Sequence, residues 1–308
     1  MNERLAALME HYEKRIIGQT KNMKLLLSSI LVGGHVLLEG VPGTGKTQMV
    51  RTLSRLLGGD FKRIQFTPDL LPSDITGSMI YNMKSGTFET LKGPIFTNVL
   101  LADEINRTPA KTQAALLEAM EEKQLTIQGD TYELPDPFFV VATQNPIESE
   151  GTYPLPEAQQ DRFLFKLHVD FPEFEEEVSV LKQAVEDHEN SALTTVMEME
   201  EFLEISRDIE MVTIDDSVYS YMMSIVRETR DVDTIRYGAS TRAGIAIAKA
   251  SKAWAYVHDR KYVTPDDVKV VSIPALRHRI MLSPHMELEG STHDQVIQDI
   301  VGSVPVPR

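Results

Sequence analysis

Gly40-Val41-Pro42-Gly43-Thr44-Gly45-Lys46-Thr47 (GVPGTGKT) fills every fixed position of the pattern GxxxxGK[ST]. An apolar run, 35–39 (HVLLE), precedes it. After it, 46–57 places Met49, Val50, Leu53, Leu56 and Leu57 at helical spacing, and Gly58-Gly59 stops the pattern. Strand, glycine turn and amphipathic helix in that order predict a phosphate cradle. The glycines let backbone N–H groups turn inward around phosphate oxygens, and the helix N-terminus adds its dipole. Lys46 then reaches the β- and γ-phosphates, and the Thr47 hydroxyl holds Mg²⁺. Val41, Pro42, Gly43, Thr44, Gly45 and Gln48 complete the nucleotide-binding set. A plain glycine turn before a helix is the other reading, and the full motif with both flanks sets it aside.

Outward from this motif, short apolar runs alternate with helical patterns between about 16 and 172: 63–66 (RIQF), 98–102 (NVLLA), 138–143 (FFVVAT) and 162–169 (RFLFKLHV). Three of the five runs are nearly continuous in apolar residues, as strands buried on both faces must be. Thr108 reads as an N-cap with Pro109 at the first helical position, and that helix continues to about Lys123. Alternating strands and helices predict an α/β fold with a parallel sheet covered on both sides. Two segments break the alternation and read as hairpins, one near 75–90 around Lys84-Ser85-Gly86 and one over 124–134 turning at Gly129-Asp130. Beyond Pro172 strands become scarce and helical patterns such as 215–228 and 241–258 take over. The expected organisation is a P-loop domain over 1–172 and an all-α lid over 190–308, with nucleotide bound between them.

Magnesium at a P-loop also needs a carboxylate at the end of a neighbouring strand. The run 98–102 leads directly into Asp103 and Glu104, which supply it. Asp103 would hold the hydrated metal, while Glu104 would orient and polarise the attacking water. The second acid argues for hydrolysis rather than transfer to another acceptor. No Asn-Lys-x-Asp run suggests guanine, so ATP is the expected nucleotide.

The composition is that of a globular chain of about two domains: 308 residues, 42% hydrophobic and 25% charged. There is no cysteine, which removes disulfides and thiolate chemistry. No run approaches the roughly 18 apolar residues of a membrane span, and the first residues carry no signal-peptide core, so a cytoplasmic location is expected. The net charge of −15, without a dense Lys/Arg run, counts against a nucleic-acid motor. The acidic stretch 173–189 reads as a solvated helix face. His278, His285 and His293 fit no compact ligand motif and read as ordinary surface histidines. The segment 219–226 reads as helix core. No Ser-His-Asp or nucleophile-elbow arrangement is present.

Five further stretches extend the pattern: 102–122 (ADEINRTPAKTQAALLEAMEE), 141–146 (VATQNP), 154–165 (PLPEAQQDRFLF), 238–243 (GASTRA) and the ending from Leu276 (LRHRIMLSPHMELEG…VPVPR). With GVPGTGKT they resemble AAA+ ATPases, and more narrowly the MoxR family, across nearly the whole chain. The resemblance implies a P-loop AAA+ domain with an αβα five-stranded parallel sheet and a helical lid. It matches Asn145 to the sensor-1 residue that positions water near the γ-phosphate. It matches Arg162 to an arginine finger reaching a neighbouring subunit's ATP. Arg242 matches the sensor-2 arginine, carried by the lid and aimed at phosphates of its own subunit. Ile17, Gly18 and Gln19 match the adenine-side segment, and Arg107 lies near the interface without a settled role. The two hairpins match inserts that project towards a ring pore or its surface.

The family further implies a homo-oligomeric ring, a hexamer, hydrolysing ATP with Mg²⁺. Such rings remodel partner complexes or insert their cofactors, often beside a von Willebrand factor A domain protein. That partner domain is not in this chain, because Tyr219 stands where a DxSxS motif starting at Asp215 needs serine. Rival readings are a magnesium-chelatase-like subunit, a nucleic-acid-stimulated AAA+ motor and a non-hydrolysing nucleotide-dependent adaptor.

Overall fold

A computed structural model describes residues 3–146, 151–186 and 194–307. In chain order the first part runs α1 (Glu3–Glu13), α2 (Thr20–Leu31), β1 (His35–Glu39), α3 (Lys46–Leu56), β2 (Phe61–Gln65), α4 (Pro72–Thr76), β3 (Gly77–Asn82), β4 (Thr87–Lys92) and β5 (Val99–Asp103). A 3₁₀ turn at Ile105–Arg107 leads into α5 (Ala110–Glu122), β6 (Gln124–Ile127), β7 (Asp130–Glu133), β8 (Phe139–Gln144), α6 (Glu157–Gln160) and β9 (Phe163–His168). The remainder is α7 (Phe174–Glu186), α8 (Met199–Glu210), α9 (Asp216–Asp231), β10 (Ile235–Tyr237), α10 (Thr241–Val257), α11 (Pro265–Leu276), β11 (Met281–Leu282), α12 (Pro284–Leu288) and α13 (His293–Ser303).

The five expected strands form one sheet, ordered β2-β5-β8-β1-β9, and every pairing in it is parallel. Parallel strands of one sheet share their polarity, so all five C-terminal ends lie along one rim. β5 and β8 are apolar along nearly their whole length because helices cover both faces. One core joins α2, α3 and the sheet to the lid helices, and a second lies on the opposite face between the sheet and α5.

Local detail departs from the sequence reading in several places. The fifth helix begins at Ala110 with Pro109 outside it, one residue later than the Thr108 cap predicted. The second hairpin turns at Gln128 and Gly129, both at positive φ (54° and 100°), one residue earlier than expected. That two-residue turn with both φ positive matches the right-handed twist of its strands. The second unit is helical apart from a two-stranded antiparallel ribbon, β10–β11, too short to leave a periodic signal. His278 is buried rather than on the surface, with Nε2 3.0 Å from the Phe163 carbonyl. Of the segment 219–226, Tyr219 is exposed, while Tyr221, Met222, Ile225 and Val226 are buried in the core. No described helix is long and apolar enough to cross a membrane.

Candidate active site

The C-terminal rim of the sheet carries the phosphate chemistry. β1 runs into the glycine loop, where Gly43 and Gly45 hold φ of 87° and 83°. A Cβ on Gly40 would stand 2.3 Å from the Val169 carbonyl oxygen, so only glycine fits beside the end of β9. Lys46 Nζ donates to the Gly40 and Val41 carbonyls, each at 2.7 Å. Partial burial lowers its pKa, opposed by the charges of Asp103 and Glu104. Gly43, Gly45, Lys46, Asp103 and Glu104 line a cavity of about 450 Å³ that also takes in Thr47, Thr143 and Asn145. Asn145, just past β8, is largely buried at its wall.

Asp103 ends β5 between two hydroxyls. Thr143 Oγ1 donates to its Oδ1 at 2.5 Å and Thr47 Oγ1 to its Oδ2 at 3.3 Å. Hydroxyl and carboxylate oxygens converging beside a phosphate loop are the hard donors Mg²⁺ takes, so the expected metal residues fit that ion. Glu104 adopts φ 58° and ψ 50°, a left-handed conformation costly for a residue with a side chain. Its N–H donates to Thr143 Oγ1 at 2.9 Å, which helps to hold it there.

Thr143, Arg63 and Gln65 escaped the sequence reading, as did Arg51, which lines the cavity. Arg63 and Gln65 stand at alternate positions of the edge strand β2, so their side chains share one face of the sheet, beside the end of β5. Arg63 Nη2 lies 2.7 Å from Asp103 Oδ2 and donates to Gln65 Oε1 at 2.5 Å. Gln65 Nε2 in turn donates to Glu104 Oε2 at 2.7 Å, and Arg107 Nε pairs with the same carboxylate at 3.0 Å. Arg63, Gln65 and Arg107 thus tie the two acids together. The available signal was the polar residue at every second position of RIQF.

Gly18 and Gln19 line a second cavity of about 310 Å³, closed from the lid by Ile273, Pro274 and Arg277. Gln19 donates to the Asp170 carbonyl at 3.2 Å and Asn22 to the His168 carbonyl at 2.9 Å, which pins this segment to the end of β9. Ile17 is half-buried nearby but does not line the cavity. Burial lowers the pKa of Arg277 against the partly offsetting charge of Asp294, 2.7 Å away. Below the loop, Glu39 accepts from Gln144 and pairs with Lys166 at 2.7 Å. Burial alone would raise its pKa, but the His168 hydrogen bond and the Lys166 charge bring it down to about 2.

Arg162 and Arg242 lie elsewhere. Arg162 precedes Phe163, which pairs with His35 at the start of β1, so it stands at the N-terminal rim. It donates to the Leu117 carbonyl at 3.0 Å and pairs with Glu121 at the end of α5. Arg242 Nη2 binds the same Glu121 at 3.1 Å, and its Nη1 is 3.8 Å from Asp161. Neither arginine lines the phosphate cavity of its own chain. The expectation that Arg242 points at its own phosphates does not match this placement. β1 alone, at five residues and about 3.3 Å each, separates the two rims by roughly 16 Å.

A five-stranded parallel P-loop sheet whose inner strand β5 leads into Asp-Glu, with a helical lid over the cavity beside Gly18 and Gln19, defines an AAA+ ATPase module. Family models agree: residues 35–165 match the ATPase family associated with various cellular activities (AAA), and 227–300 match an AAA lid domain. The chain is 42% identical to Chaperone MoxR1 of Mycobacterium tuberculosis, over 95% of this chain and 80% of that one. It is 31% identical to Protein MoxR of Paracoccus denitrificans (95% and 93%) and 50% identical to YeaC of Bacillus subtilis (98% and 95%). A crystal structure from Cytophaga hutchinsonii superposes with a TM-score of 0.93 at 45% identity, covering 99% of this chain and 96% of that one. The chain belongs to the MoxR family of AAA+ ATPases.

Proposed function

We propose that this chain hydrolyses ATP with Mg²⁺ in a homo-oligomeric ring, a hexamer, whose active sites are each shared by two copies. One observation carries the reading: the phosphate-binding set and the two arginines occupy opposite rims of one parallel sheet. A single chain cannot bring them together, but a neighbour stacked head to tail can. Lys46 and the loop N–H groups bind the β- and γ-phosphates, and Thr47 with Asp103 holds the metal. Mg²⁺, once bound, neutralises charge that develops on those phosphates. Glu104 orients the attacking water and accepts its proton, with Asn145 placing that water. Arg162 and Arg242 of the next copy stabilise the charge gathered in transfer.

Gln65 and Arg107 hold Glu104 at the rim. Chaperone-like remodelling of a partner complex fits the name carried by the mycobacterial relative. It also fits the hairpin β3–β4, whose Met83 is 91% exposed beside exposed Tyr81 and Phe88. A cytoplasmic location and a von Willebrand factor A domain partner belong to the same proposal.

The test is Glu104→Gln. It should bind ATP with Mg²⁺ as the wild type does and lose most turnover. Affinity purification of that variant from its native cells should then retain the client. Near-normal turnover would remove Glu104 from the chemistry and the proposal with it.

A further inference from the structure

α7 is amphipathic, yet it sits on its own domain the wrong way round. Phe174, Val178, Leu181 and Val185 fall at i, i+4, i+7 and i+11, one apolar stripe along about 20 Å of helix. Phe174, Leu181 and Val185 are 78%, 65% and 64% exposed. The side turned towards its own chain is polar. Gln183 Nε2 donates to the Lys14 carbonyl at 2.8 Å, and the Glu176 carboxylate lies against Gly18. Exposed Glu175 and Glu177 flank the apolar stripe. A helix that turns Glu176 and Gln183 inward and Phe174, Leu181 and Val185 at water lacks the surface that would bury them.

The same chain carries a groove of matching chemistry. A cavity of about 700 Å³ runs between the ends of α2 and β8 and the lid helices α8 and α10. Leu203, Tyr219 and Ile245 line it, with Phe138 and Phe139 behind them, and four cations, Lys123, Arg207, Lys249 and Lys252, stand around it against two acids, Asp136 and Glu210. This gathers cations on a chain whose net charge is −15. Arg242, Ile245, Lys249 and Lys252 share one face of α10, so the groove continues directly from the arginine pair at the N-terminal rim. α7, by contrast, borders the adenine-side segment beside the nucleotide clefts.

We propose that α7 of one copy docks in the α8–α10 groove of the next. The apolar stripe then meets Leu203, Tyr219 and Ile245, while Glu175 and Glu177 meet the lysines of α10. The contact joins the nucleotide side of one copy to the arginine side of its neighbour, the same head-to-tail pairing the shared site needs. The inference rests on the ring reading and adds to it a specific joint outside the catalytic residues.

The absence of cysteine allows a direct test. Leu181→Cys in one preparation is mixed with Leu203→Cys, Tyr219→Cys or Ile245→Cys in another, and treated with a short bis-maleimide under conditions where light scattering shows assembly. At least one groove position should give a dimer-sized cross-link. In parallel, Leu181→Asp should move the association midpoint at least tenfold to higher protein concentration. Its melting temperature and ATP binding should stay unchanged, since the side chain is exposed in the separate chain. Glu175→Lys/Glu177→Lys and Lys249→Glu/Lys252→Glu should each weaken assembly alone and restore it when mixed.

Rings that form without any of these cross-links, or Leu181→Asp rings as stable as the wild type, overturn the docking and leave the ring standing. A cross-link confined to one chain carrying both cysteines overturns it as well. A wild-type chain that never associates sinks the ring reading itself.

Discussion

Mixing two inactive variants separates a shared site from a self-contained one, and the sheet supplies the expected numbers. Lys46→Ala loses nucleotide binding but keeps both arginines. Arg162→Ala keeps the pocket but loses a group whose kind is worth roughly 10³–10⁵ in rate. Combined in equal amounts, half of all pockets are intact and half of those face an intact arginine. About one quarter of the wild-type rate per subunit should therefore return, far above either variant alone. Mixing Arg162→Ala with Arg242→Ala decides where Arg242 acts. Were Arg242 to serve its own pocket, the same count would again restore about one quarter. Since Arg162 and Arg242 share Glu121, both should serve the neighbour, every face then lacks one of the two, and the mixture should stay at the single-variant level. The assay is steady-state phosphate release, after light scattering or cross-linking shows that mixed rings form. No recovery in the first mixture would refute the shared site. Recovery in the second would return Arg242 to its own phosphates.

Three further outcomes follow from particular contacts. Gln65→Leu should lower kcat about tenfold or more with little change in ATP affinity, because its side chain bonds Glu104 and Arg63 and no residue of the glycine loop; stopped-flow binding beside steady-state kinetics separates the two. Gly40→Ala should cost about 1–3 kcal/mol in urea unfolding and weaken ATP binding, since its Cβ meets backbone rather than a side chain that could move. His35 is buried and neutral, with Nδ1 accepting from the Val140 N–H at 2.9 Å and Nε2 3.1 Å from the Met120 carbonyl. Burial lowers its pKa to about 4. Between the unfolded value near 6.5 and about 4, only the unfolded chain takes up the proton, so stability falls as pH drops through that window. The loss should reach about 2–3 kcal/mol. Urea unfolding at pH 7 and 4.5 should show this slope flattened in His35→Gln, and an equal slope in both would refute the assignment.

Much of the active site could be read before folding because its chemistry is contiguous. Gly40 to Thr47 and Asp103-Glu104 each lie within a few consecutive residues at the end of one strand, and glycine spacing or an acid pair records them directly. The five strands were legible for a related reason: burial on both faces leaves an unbroken apolar run. Boundaries slipped by one residue at Ala110 and at the Gln128-Gly129 turn, where caps and turns compete locally. Other features had no local trace. The pairing of β2 with β5 sets Arg63 and Gln65 against Asp103 and Glu104, some forty residues apart in the chain. The burial of His278 depends on lid packing against β9. A periodicity shows that α7 has an apolar stripe, but not which side it turns to its own domain. The resemblance aimed Arg242 at the phosphates of its own chain, while the packing of α10 beside Glu121 and Asp161 places it at the N-terminal rim. Sequence records what neighbouring residues can do, and strand polarity decides which of them can reach one another.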